Sequence, residues 1–293
     1  MTLPVRLFAP ASRFSLKGWQ RALKALGRRG FLPMFRPDIT ERSGIWAGSV
    51  DRRREELGEV LLSKEPIAMA VRGGYGTTAI LGPTDLYRVK GPKLVSGASD
   101  ITALLLWLEN HAPEASPLMG PMAIPDFGEK RLNEPLFERI LKAFLKGEEL
   151  FIPLPYTTVI QEGAPLQGRA LPACLTLLSL SLGTAFEPDT RWRVLFLEDV
   201  HETPARILRL LEHLRNAKKL EGIGGVVFSP QQGLPSREIL PHLRSFFFDA
   251  PFTVLYGTPF GHTFPRQYIP FGFRVHRLSS RRLALEGRFG EKR

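Results

Sequence analysis

The 293-residue sequence contains one cysteine, Cys174, and lacks any apolar run long enough to cross a bilayer. A single thiol excludes an intrachain disulfide and a zinc site made of four cysteines. Residues 1–11 include one arginine and no cleavable apolar segment, so we expect no secretory signal. These absences predict a soluble cytoplasmic protein with no membrane partner.

Signatures of metal and nucleotide sites are also scarce. There is no H-E-x-x-H motif, no histidine cluster and no Gly-Lys-Ser/Thr of a phosphate-binding loop. Gly74-x-Gly76-x-x-Ala79 fits the dinucleotide pattern, but that pattern alone is weak, so a nucleotide-binding protein stays an open alternative. We expect neither a metal nor another cofactor.

The charge is basic, since 40 Lys and Arg residues face 29 Asp and Glu residues, a net charge of +11. The basic residues are scattered and no aromatic stripe accompanies them, which favours a solvated surface over a nucleic-acid partner. Such a surface can also attract an acidic substrate.

Apolar patterns alternate between two kinds of segment, which predicts an α/β fold. Predicted strands include Ile67–Val71, Lys93–Ser96 and Arg193–Leu197, and predicted helices include one near Leu16–Arg29 and one at Asp51–Leu62. Residues 1–150 are predicted to form a mostly parallel sheet flanked by helices, of Rossmann-like or amidotransferase-like type. Residues 151–170, in a stretch rich in Pro and Gly, are interpreted as a crossover. Residues 171–293 are predicted to form a smaller α/β domain.

Four segments combine reactive residue types with strand ends or glycine-rich turns. Ser99 lies between an apolar strand and a helix, where a hydroxyl is exposed next to free backbone N–H groups; a helix cap is the alternative. Arg72 to Gly76 form a glycine-rich turn after a strand. Glu198 ends an apolar strand, although it could instead lead into the next helix. His262 lies in a Gly- and Pro-rich loop, while His201, close to Glu198, is its only competitor.

Taken in order, these segments resemble the LD-carboxypeptidase family of serine peptidases, which includes the microcin C self-immunity peptidases. The resemblance covers nearly the whole chain and is carried by Trp46-Ala47-Gly48-Ser49, Arg53, Leu57, Val71-Arg72-Gly73-Gly74-Tyr75-Gly76, Gly91-Pro92-Lys93, Gly97-Ala98-Ser99-Asp100, Gly120-Pro121-Met122, Gly183-Thr184, Phe196-Leu197-Glu198-Asp199 and Gly261-His262.

The resemblance implies a Ser–His–Glu triad at a domain junction, with Ser99 as nucleophile, His262 as general base and Glu198, rather than Glu202, as the orienting carboxylate. It further implies an oxyanion hole made by the backbone N–H groups of Gly74 and Asp100. Arg72 and Tyr75 are the expected substrate-binding residues. Arg72, or another basic residue near the cleft, is a candidate for binding the substrate carboxylate, and a structural contact of Arg72 with a buried carbonyl or carboxylate is the alternative.

The implied reaction releases the terminal D-alanine of murein tetrapeptides during cell-wall recycling, by a homodimer in the cytoplasm. The sequence differs from the family pattern at Pro172-Ala173-Cys174, at Ser229-Pro230 and at Ala98. These differences leave two alternatives open: a microcin-immunity-like peptidase and a catalytically impaired, peptide-binding relative.

Overall fold

Alternating strands and helices build the chain, as the apolar pattern predicts. The computed structural model describes residues 2–82 and 88–291. Within these ranges the helices are α1 (Leu16–Arg28), α2 (Val50–Leu62), α3 (Thr102–His111), α4 (Glu134–Lys146), α5 (Leu175–Leu180), α6 (Pro204–Asn216) and α7 (Ser236–Phe246). The strands are β1 (Leu3–Phe8), β2 (Phe31–Met34), β3 (Ile67–Ala70), β4 (Lys93–Gly97), β5 (Ala115–Met119), β6 (Leu150–Pro155), β7 (Thr158–Gln161), β8 (Gln167–Cys174), β9 (Arg193–Glu198), β10 (Gly225–Phe228), β11 (Val254–Tyr256), β12 (Ile269–Pro270), β13 (Arg274–Ser279) and β14 (Arg282–Gly287).

The first sheet has the strand order β12-β5-β4-β3-β1-β2. Strands β1 to β5 pair in parallel, and β12 joins the edge of β5 in antiparallel orientation. Every residue of β3, β4 and β5 is buried, as expected for strands that have helices on both faces. The carboxyl ends of β1, β3 and β4 therefore meet at one edge of the sheet, where ligand sites of open α/β sheets form.

The second sheet has the order β6-β14-β13-β8-β9-β10-β11-β7. Its central strands β8, β9, β10 and β11 are parallel, whereas the flanking strands pair in antiparallel orientation. The carboxyl ends of these central strands again share one edge. The predicted α/β architecture is thus confirmed.

Helix starts follow from short polar side chains. The Ser15 hydroxyl accepts a hydrogen bond from Gly18 N (3.0 Å) at the start of α1, and Ser49 accepts one from Arg52 N (3.2 Å) at the start of α2. Such caps satisfy backbone donors that have no partner inside the helix. The caps explain why both helices begin within one residue of their predicted positions.

The segment 151–170, interpreted as a crossover, contains regular structure, because most of β6, all of β7 and the first half of β8 lie within it. Buried and exposed residues alternate along β6, which is the pattern of a strand, and two of its residues are prolines. Prolines are tolerated there because β6 is an edge strand of the second sheet. The domain boundaries at residues 150 and 170 stay a prediction.

No helix within residues 2–82 and 88–291 is long and apolar enough to cross a membrane.

Candidate active site

Ser99 lies in a strained turn after β4. Its φ angle is 61°, in the left-handed region that non-glycine residues seldom adopt, and it starts a short 3₁₀ turn that leads into α3. A Cβ on Gly97 would approach Ile101 Cγ2 to 2.4 Å, so only glycine allows the chain to turn this tightly. A left-handed serine between a strand and a helix carries its hydroxyl outward, as nucleophiles at such turns do.

The glycine-rich turn after β3 packs directly against this serine. A Cβ on Gly73 would lie 2.9 Å from Ser99 Cβ, so glycine permits the close approach. Gly74 has a φ of 116°. Among the described residues, the backbone N–H groups of Gly74 and Asp100 donate to no protein acceptor. Both donors therefore remain available beside the serine.

Three side chains from distant parts of the chain hold the glycine-rich turn. The Ser12 hydroxyl accepts from Tyr75 N (3.0 Å), buried Arg53 donates through Nη1 to Gly76 O (2.8 Å), and Asp100 Oδ2 accepts from Thr77 N (2.8 Å). The family resemblance includes Arg53, but no signal in the sequence identifies Ser12 as a partner of this turn.

Glu198 and His262 form a hydrogen-bonded pair between the end of β9 and the loop after β11. Glu198 Oε2 lies 2.7 Å from His262 Nδ1, and the two side chains are 1 % and 22 % exposed, respectively. The same oxygen accepts from His262 N at 3.3 Å. A Cβ on Gly261 would lie 2.4 Å from Glu198 Cγ, so glycine at 261 lets the loop close over the carboxylate.

The electrostatics of this pair favour a protonated imidazole. Burial alone works against the charged ring, but the charge and the hydrogen bond of Glu198 outweigh it, so the pKa of His262 lies above its ordinary value of 6.5. The carboxylate thus stabilises the imidazolium that forms whenever His262 accepts a proton.

Two of the segments that differ from the family pattern support this pair. The Ser229 hydroxyl donates to Phe260 O (2.9 Å) and accepts from Phe260 N (3.2 Å), which fixes the loop that carries His262. Cys174 is the register partner of Glu198 at the end of β8. Burial raises the pKa of the Cys174 thiol well above its usual range, so this thiol is packed as an unreactive neighbour.

A buried ion pair joins the two halves of the site. Arg266 Nε donates to Asp126 Oδ1 (3.0 Å), and its Nη1 donates to the carbonyl oxygen of Gly261 (2.6 Å). Asp126 also accepts from Met122 N (2.7 Å), at the wall beside the serine. Arg266 and Asp126 are 3 % and 0 % exposed. Because 140 residues separate them, sequence patterns give no signal for this pair.

One cleft of about 290 Å³ brings these elements together. Ser99 and His262 line it with Arg72, Gly73 and Gly74. His201 and Tyr75 do not belong to this lining. Tyr75 is 55 % exposed and packs against Trp46 with ring centroids 6.3 Å apart. Of the two substrate-binding residues predicted, the structure places Arg72 in the cleft and Tyr75 outside its lining.

The competing dinucleotide interpretation lacks its structural context. That motif requires a helix directly after the glycines, whose N-terminus binds the pyrophosphate. The chain from Gly76 to residue 82 forms a 3₁₀ turn, Thr78–Ile80, and no α-helix. Within the described part of the chain, no group of three or more His, Cys, Asp or Glu side chains is arranged to hold a metal ion.

Two family models match the chain. The LD-carboxypeptidase N-terminal domain matches residues 5–116, and the LD-carboxypeptidase C-terminal domain matches residues 167–276. The chain belongs to the LD-carboxypeptidase family. The predicted family is confirmed, and the protein is a serine carboxypeptidase, a hydrolase.

Two similar proteins align with this chain over most of their length. A probable murein peptide carboxypeptidase of Bacillus subtilis is 29 % identical over 287 residues, which covers 92 % of this chain and 87 % of the relative. A putative carboxypeptidase of Streptomyces coelicolor is 30 % identical over 281 residues, covering 92 % and 88 %.

Solved structures show the same two-domain fold. The muramoyltetrapeptide carboxypeptidase of Oxalobacter formigenes superposes with a TM-score of 0.81 at 25 % identity, covering 97 % of this chain and 98 % of that one. A protein of Bacillus anthracis similar to the microcin C7 self-immunity protein superposes with a TM-score of 0.85 at 21 % identity, covering 97 % and 96 %. At that identity the second likeness concerns the fold alone.

Proposed function

We propose that this LD-carboxypeptidase cleaves its substrate with Ser99 as nucleophile, His262 as general base and Glu198 as the carboxylate that orients the imidazole. The observation that carries the proposal is the 2.7 Å contact between Glu198 Oε2 and His262 Nδ1, with the histidine facing the cleft that Ser99 also lines. The contact leaves His262 Nε2 as the ring atom for proton transfer, because Nδ1 donates to the carboxylate.

The chemistry follows from these positions. Ser99 Oγ attacks the carbonyl carbon of the scissile amide as His262 takes its proton, and the resulting oxyanion accepts hydrogen bonds from the N–H groups of Gly74 and Asp100. His262 then protonates the departing amine, and the C–N bond breaks to leave an acyl-serine. Water, deprotonated by His262, hydrolyses that ester and restores the enzyme.

The proposed substrate is a murein tetrapeptide, from which the enzyme releases the terminal D-alanine. Supporting this choice are the names of two similar proteins, a probable murein peptide carboxypeptidase and a muramoyltetrapeptide carboxypeptidase. Arg72 is a substrate-binding residue in this proposal. We place the reaction in cytoplasmic cell-wall recycling, by a homodimer, without a metal or other cofactor.

Release of D-alanine tests the proposal. The folded protein is incubated with a tetrapeptide that ends in D-alanine and with its diastereomer that ends in L-alanine, and tripeptide and alanine are measured by chiral chromatography. We expect equal amounts of tripeptide and D-alanine from the first substrate and little product from the second. Absence of product from the D-alanine substrate would contradict the proposed reaction.

The pH dependence of activity should reflect the raised pKa of His262. The histidine must be neutral to accept the serine proton, so protonation abolishes the base. Because Glu198 raises the pKa of His262 above 6.5, we expect kcat/KM to fall on the acid side with an apparent pKa above 6.5. Measuring kcat/KM between about pH 5 and 9 tests this, with an NMR titration of the imidazole as a direct comparison. An acid limb centred below 6.5 would contradict the pairing with Glu198.

A further inference from the structure

The wall of the cleft next to His262 carries two arginines that each lie over one aromatic ring. The guanidinium carbons of Arg131 and Arg266 each lie 4.7 Å from the ring centroid of Phe264. All three residues line the cleft together with Ser99 and His262. Phe264 follows His262 by two residues, so this wall adjoins the histidine.

The two arginines differ in what their donors already bind. Arg266 directs Nε and Nη2 to Asp126 and Nη1 to Gly261 O, so its guanidinium is occupied by the protein. Arg131 has a side chain that is 46 % exposed, and Glu129, which also lines the cleft, lies 3.6 Å from its Nε. Among the described residues, the Arg131 guanidinium makes no hydrogen bond. Arg131 therefore offers a cation to a ligand, whereas Arg266 does not.

The chemistry of the leaving group indicates what this cation meets. His262 protonates the departing amine, so the leaving residue must lie on the histidine side of the cleft. The carboxylate of a C-terminal amino acid is attached to the same carbon as that amine. It consequently lies close to the wall formed by Phe264 and Arg131. Arg72 directly precedes Gly73 and Gly74 in the same cleft lining, so it lies next to the glycine-rich turn.

We infer that Arg131 binds the terminal carboxylate of the leaving residue and thereby restricts the enzyme to the C-terminus of its substrate. This specificity role rests on the proposed function. A guanidinium presents two parallel N–H groups to a carboxylate, and stacking over Phe264 fixes its plane before the substrate arrives. The exposed Glu129 pair contributes little, so a substrate carboxylate can displace it.

The test compares a murein tetrapeptide with the same peptide ending in a carboxamide. Tripeptide formation from both substrates is measured by mass spectrometry with wild type, Arg131→Ala and Arg131→Lys. We expect wild type to prefer the carboxylate substrate by about 10- to 100-fold in kcat/KM, because a charge-assisted hydrogen bond contributes a binding free energy of that size. Arg131→Ala should lose that preference, mainly through a higher KM for the carboxylate substrate, and its kcat/KM on the amide should fall far less. Arg131→Lys should keep part of the preference.

Lys130→Ala is the matched control, because Lys130 is the neighbouring cation and is not part of the cleft lining. This variant should preserve the preference of wild type, since it removes one positive charge but keeps the guanidinium of Arg131. An equal loss on both substrates in Arg131→Ala, or the same loss of preference in Lys130→Ala, would overturn the inference. If folded wild type forms no tripeptide from either peptide, the proposed function fails, and the inference fails with it.

Discussion

Replacing Ser99 by alanine is expected to lower kcat/KM for D-alanine release by about 10⁴- to 10⁶-fold. The variant keeps the cleft, the proposed oxyanion donors and the Glu198–His262 pair, but it has no atom at position 99 that can form an acyl bond. Residual activity should come only from water activated by His262 in the bound complex. Initial rates at matched enzyme concentrations measure the loss.

The fold should survive this substitution, because alanine and serine carry the same Cβ in the left-handed conformation at residue 99. Thermal unfolding of the variant should therefore follow that of wild type. Ser245→Ala, on the exposed surface of α7, serves as a matched control and should keep full activity. A Ser99→Ala protein that is folded and still releases D-alanine at the wild-type rate would place the nucleophile elsewhere.

Glu198→Gln is expected to lower kcat by about 10³- to 10⁴-fold with little change in KM. A glutamine fits the same space, but it is neutral and cannot stabilise the imidazolium. Its amide group also allows the ring to take the tautomer with the proton on Nε2, which cannot accept the serine proton. Steady-state kinetics separate this effect from weaker substrate binding.

Glu202→Gln is the control for charge, since Glu202 lies four residues further along the chain, whereas Glu198 is the carboxylate that pairs with His262 Nδ1. We expect this variant to retain wild-type kinetics. The pKa of His262 should also fall in Glu198→Gln, because burial then acts on the ring without the opposing carboxylate. Equal losses of activity in the two variants would contradict the assignment of Glu198.

Local patterns predicted the elements that position the site. Ile67–Val71, Lys93–Ser96 and Arg193–Leu197 were predicted as strands, and β3, β4 and β9 occupy these positions. Short apolar runs bounded by Gly or polar residues carry enough information for such elements. Since parallel strands place their carboxyl ends together, the same patterns predicted that residues 73, 99 and 198 lie near the sheet edges.

Local sequence patterns did not predict the pairing of strands that are distant in the chain. The strands in segment 146–172 depend on partners such as β14, which follows β6 by more than a hundred residues. The strand β12 adds to the first sheet although the chain before it builds the second one. Propensity cannot reveal these pairings, because tertiary contacts decide whether a proline-rich stretch becomes an edge strand.

The residues of the candidate site were likewise predictable from the sequence only in part. The local context of Ser99, Glu198 and His262 left alternatives open at each position, and only the order of motifs across the chain linked them. Arg131 gave no signal, since a surface arginine beside lysine is common in a chain of net charge +11. The placement of Arg131 over Phe264 depends on a contact between residues more than 130 positions apart.

The most direct test of the triad is the kinetics of Ser99→Ala, His262→Ala and the double variant on one tetrapeptide. If the serine and the histidine act as one unit, removing the second group after the first costs almost nothing. The double variant should then be as active as either single variant, within about threefold. Losses that multiply in the double variant would show that the two side chains act independently, which would contradict the proposed mechanism.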